Sequence, residues 1–102
     1  MERPEKWSAY DCSDYFSTLF ATDGWWDPDG QCWYVEIAER LEEDATREFL
    51  IIGGPGVDGL LWGYRRGHPG IWIYYPIDDA FVPIADSVSD LRERYSSGRI
   101  TV

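Results

Sequence analysis

From residue 49 to residue 84 the chain is cut into short β-branched and aromatic runs by glycine and proline, and this punctuation restricts the possible folds more than any other feature. The runs cover residues 49–52, 60–64, 71–75 and 81–84. Each is too short for a stable helix, and turn formers lie between them: Gly53-Gly54-Pro55-Gly56 after the first, Gly67-His68-Pro69-Gly70 before the third, Pro76 after it. They are predicted as strands of an antiparallel meander of about four strands. Ile71-Trp72-Ile73-Tyr74-Tyr75 has the composition of a central strand, whereas Pro83 removes a ladder donor and places the fourth run at an edge. Trp62, Tyr64, Trp72 and Tyr74 alternate within their strands, so one face of the sheet is expected to be aromatic.

Helical patterns flank this region. After Ser8 and Asp11, which resemble a capping box, Tyr10, Phe16, Leu19 and Phe20 recur at helical spacing until Asp23-Gly24. Trp25-Trp26-Asp27-Pro28-Asp29-Gly30 is turn chemistry and reads as a loop carrying two tryptophans. From Cys32 to Asp44, Tyr34, Ile37, Ala38 and Leu41 fall at i, i+3, i+4 and i+7, which favours a second helix. Trp33, Val35 and Ile37 also alternate with Tyr34 and Glu36, as in an extended start. The last element is a helix capped by Asp86 or Ser87, with Val88, Leu91 and Tyr95 on its apolar face, Asp90 and Arg94 able to pair, and Gly98 past its end. The expected architecture is α+β: a helical acidic part over residues 1–47, then the sheet and C-terminal helix over residues 48–102, in a single domain.

At 102 residues the chain has room for one core. It holds 19 Asp and Glu against 9 Lys and Arg, a net charge of −10, and the excess lies almost wholly in residues 1–51. Such a field repels nucleic-acid phosphates and anionic lipid and attracts basic proteins, or else keeps an aromatic-rich surface soluble. No apolar run is long enough to span a bilayer and no secretory layout opens the chain, so a cytoplasmic location is expected. Cys12 and Cys32 are too few for a disulfide scaffold and lack zinc-site spacing; reduced thiols and no metal are expected.

Chemistry-bearing motifs are weak. The glycine-rich residues 53–59, with Asp58 among them, contain no Gly-Lys-Ser/Thr and lead into another strand, against the needs of a phosphate loop. Asp27-Pro28-Asp29-Gly30 lacks the preceding ligands of a calcium loop, although Glu36 follows at the right distance. His68 has no dependable partner for acid–base work, with Asp78 and Asp79 the nearest candidates. A non-enzymatic protein without cofactor is expected.

Residues 49–98 resemble the SMI1/KNR4 family, also called the SUKH superfamily. The resemblance lies in Ile52-Gly53, the glycine-rich turn with Asp58, the strands around Trp62 and Trp72, and the step Ile84-Ala85-Asp86-Ser87 into the final helix. It implies an α+β fold without enzymatic activity and, in bacteria, an immunity protein that neutralises a toxin. Many such toxins are nucleases with basic clefts, which an acidic face would fit. The expected docking residues are Glu39, Glu42, Glu43 and Asp44, with Trp25 or Trp26 as an apolar anchor. The competing readings are an acidic nucleic-acid mimic of phage origin, needing carboxylates at phosphate spacing, and an enzyme, needing a concave site around His68 or perturbed carboxylates.

Overall fold

The computed structural model describes residues 1–100; the last two positions of the expected domain lie outside the described residues. Five strands form an antiparallel sheet in sequence order: β3 (Glu42–Asp44), β4 (Phe49–Gly53), β5 (Leu61–Arg65), β6 (Ile71–Tyr75) and β7 (Ala80–Ala85). The meander expected after residue 48 is present, with Pro83 on the edge strand β7. The fold is α+β, and the sheet gains one strand over the expected four.

Ahead of that sheet the chain departs from the sequence reading. The expected helix over residues 32–44 does not form. Instead β1 (Trp25–Asp27) and β2 (Cys32–Val35) make a two-stranded hairpin, residues 38–40 form a 3-10 turn, and β3 follows. The residues expected as a two-tryptophan loop thus include a strand. Tyr34, Ile37, Ala38 and Leu41 have helical spacing, but pairing with β1 and β4 recruits the β-branched and aromatic alternation around Trp33 and Val35. The first helix is also broken. A 3-10 turn (Glu5–Trp7) precedes the short helices α1 (Ser13–Phe16) and α2 (Phe20–Asp23), and no side chain caps α1. Ser17 Oγ and Thr18 Oγ1 donate to the carbonyls of Asp14 and Tyr15, each at 2.8 Å, competing with helix continuation between α1 and α2. Leu19, placed by periodicity on the apolar face, is therefore exposed.

The final helix α3 (Val88–Ser96) matches its sequence signals. The Asp90 amide donates to Ser87 Oγ at 3.1 Å, Arg94 Nε lies 2.8 Å from Asp90 Oδ2, and Gly98 takes a positive φ past the end.

Register divides the aromatic residues between both faces, correcting the expectation of one aromatic face. Trp62 opposes Ile73, and Tyr64 opposes Leu50; they face the helices in one cluster with Tyr15, Phe16, Phe20, Val88 and Leu91. Trp72 and Tyr74 point the other way. There Phe49, Tyr74 and Phe81 stack within 6.3 Å of one another, outside the main core. Arg47 covers Tyr74, and Arg65 lies 4.7 Å from the Trp72 ring and 4.4 Å from that of Phe81. This second face is a sheet surface shielded by side chains instead of a helix layer.

Much of the acidity serves tyrosines. Tyr64 Oη lies 2.8 and 2.9 Å from the two Asp14 oxygens, and Asp14 also accepts the Val88 amide at 2.9 Å, tying α3 to the sheet and α1. Tyr10 donates to Glu43, Tyr34 to Asp27 and Tyr74 to Asp79 at 2.6, 2.7 and 2.6 Å. A buried phenol needs an acceptor, and a carboxylate is a strong one.

Candidate functional site

The site follows from how two strands share one edge of β4. β3 pairs with its first part, Glu42 opposing Ile51 and Asp44 opposing Phe49. Past the point where β3 ends, β2 takes over: the Glu36 amide donates to the Ile52 carbonyl at 2.6 Å, and the Gly54 amide to the Trp33 carbonyl at 3.4 Å. Residues 36–41 bridge the two through the 3-10 turn, with Ala38 and Leu41 packed toward the core. Where β2 and β3 part, a cleft of about 280 Å³ opens, walled by Trp33, Glu36, Arg40 and Glu42 and floored by Ile51 and Leu61.

The glycines beside it are there for packing. A Cβ at Gly53 would collide with the Tyr34 carbonyl, and one at Gly56 would lie 2.7 Å from Cys32 Sγ. The run that suggested a phosphate loop is thus pressed against β2.

Glu36 stands out electrostatically. Its Oε2 is buried without a hydrogen-bond partner, and burial pushes its carboxyl above the ordinary glutamate range, Arg40 pulling the other way and Glu42 adding to the rise. Its backbone carbonyl accepts from Tyr15 Oη at 2.5 Å, which fixes the chain at this point. Arg40 reaches over the Trp33 ring at 6.0 Å, the outer limit of a cation–π contact.

The structure separates the expected docking residues. Glu39 and Glu42 are exposed on the connector and at the cleft rim. Glu43 points to the helix side, accepting from Tyr10, and Asp44 is held at 2.9 Å by Arg47, which pulls its carboxyl below the usual range. Trp25 is half-buried against Tyr34, Tyr95 and Arg92. Trp26 is 42% exposed and lies edge-to-face on Trp33, 5.1 Å between centroids. Trp33 and Glu36 are absent from the expected set; the alternation of Trp33 and Val35 was the signal for them, since a strand places Trp33 beside Trp26.

His68 is exposed at the rim of a separate open depression with Arg3 and Asp11, its ring 5.4 Å from Trp72. Cys12 is buried, which raises its thiol to about 11, and both cysteines are free thiols. Among the described residues no group of three His, Cys, Asp or Glu converges as a metal site would, and no helix is long and apolar enough to cross a membrane.

No protein-family model, curated protein or solved structure matches the chain. The SMI1/KNR4 resemblance therefore rests on the motifs of residues 49–98 alone.

Proposed function

We propose that this protein is a non-enzymatic binding protein that neutralises a basic protein partner, a toxin of nuclease type being the reading its acidity favours. The observation that carries the proposal is the cleft between β2 and β3, lined by Glu36, Glu42 and Trp33, with Glu39 exposed on the adjoining connector and Trp26 against Trp33. Asp14, Glu43, Asp44 and Asp79, by contrast, are tied to tyrosines or arginines. Glu39 and Glu42 are exposed, are in no ion pair among the described residues and are available to a partner's cations. An exposed aromatic flanked by carboxylates is the composition of an interface anchor that also steers encounter. The cleft opens beside the shielded sheet face, which supplies adjoining area toward the roughly 800 Å² per partner of a stable interface.

A nucleic-acid mimic fits less well, because a phosphate-like row requires unencumbered carboxylates, and Asp14, Asp27, Glu43, Asp44 and Asp79 are already held by tyrosines or arginines.

The test compares the parent with E39K/E42K as baits in a lysate of the source organism, followed by titration of any captured basic protein over a salt series. The expected result is a basic protein bound by the parent, with affinity falling as salt rises and lost in the variant. Equal affinity and equal salt slope for both baits would overturn the assignment of this face.

A further inference from the structure

We infer that the cleft between β2 and β3 is a receptor for a single arginine side chain of the partner, and that Arg40 occupies the approach to it as an internal competitor. The inference rests on the docking reading and deepens it by naming the chemistry of the group received.

Size comes first. At about 280 Å³ the cleft sits at the bottom of the range for small-molecule sites and suits one long side chain. Its lining combines the two kinds of contact an arginine makes: Ile51 and Leu61 offer apolar contact to a methylene stem, and Trp33 offers a ring to a planar cation. Glu36 supplies the acceptor. Its side chain lines the cleft, and one carboxylate oxygen, Oε2, is sealed from solvent without a donor, which leaves the group under-satisfied by the chain's own residues. Glu42 at the rim adds a second negative charge. A guanidinium satisfies ring and carboxylate together, whereas an ammonium is a point charge without a stacking plane.

Arg40 identifies the class of occupant. Its guanidinium sits over Trp33 at 6.0 Å and favours the ionised form of Glu36, yet it forms no ion pair with Glu36 among the described residues. The chain's own cation thus approaches both features and completes neither. A cation entering from outside must displace it.

The probes are Nα-acetyl-arginine amide and its neutral isostere Nα-acetyl-citrulline amide, titrated into the intact protein and followed by the Trp33 indole and the Gly53 and Gly54 amide NMR signals. The arginine probe is expected to shift these signals saturably and the citrulline probe to leave them in place. Glu36→Gln should weaken the arginine probe about tenfold. Arg40→Gln should strengthen it about two- to threefold, the scale of one exposed charge contact. Equal shifts from both probes, shifts scattered over the surface, or weaker binding in Arg40→Gln would overturn the inference. Because the probe is small, the two proposals separate. A silent probe with a partner still lost in E39K/E42K removes the arginine receptor and leaves the docking face; a bound probe with a partner indifferent to E39K/E42K does the reverse.

Discussion

Glu36 carries the clearest consequence at the scale of a single residue. Burial makes its native carboxyl hold a proton more tightly than in the unfolded chain. As pH rises through the ordinary glutamate range near about 4.3, the unfolded chain releases that proton first, so the native state loses relative stability until it ionises too. Glu36→Gln removes this titration. Compared with the parent by denaturant unfolding, the variant should become relatively more stable as pH is raised from about 4 toward neutrality. A difference that stays flat, or runs the opposite way, would show that the carboxyl is not held in a raised state. Asp44, outside the cleft, differs. Asp44 beside Arg47 is pulled down, so its contribution is present above the ordinary aspartate range and fades as pH falls below it.

At the scale of elements, the junction of β2 with β4 is the tightest joint near the site. Gly53→Ala drives a methyl into the Tyr34 carbonyl, where neither strand can give without breaking backbone bonds. The expected loss is about 2 kcal/mol or more. Gly67→Ala is the control: that position also has a positive φ but open space around it, so the cost should stay near 1 kcal/mol. Similar midpoints for both variants in thermal melts would mean that β2 is not clamped to β4. Legibility follows the same division. α3 could be read because Ser87, the Asp90–Arg94 pair and Gly98 are local signals. The meander could be read because each strand is bounded by its own turn residues. Residues 32–44 could not, since helical spacing and strand alternation coexist there and pairing partners distant in sequence decide between them. Glu39 and Glu42 were legible as docking candidates from charge alone. The cleft was not, because it exists only where β2 and β3 meet one edge.

Over the whole molecule, the net charge of −10 bears on stability as well as on partners. Two of the ion pairs, Arg66–Glu48 and Arg99–Glu93, are exposed and add little. Self-repulsion among the remaining carboxylates should therefore dominate the salt response of the fold. Raising ionic strength from low to physiological is expected to raise the melting temperature while weakening binding of the proposed basic partner, two trends of opposite sign in one titrant. A melting temperature that falls with salt would mean that attractive pairs outweigh the repulsion.

The connector, residues 36–41, stands outside both strand ladders except for the Glu36 amide at one end. Substitutions at its exposed positions, Glu39 and Arg40, leave every rung of the sheet in place, so these two can change their chemistry while the scaffold stays constant. Tyr15 and Ile52 pin one flank of the stretch at Glu36, which confines the effect of such substitutions to the connector itself.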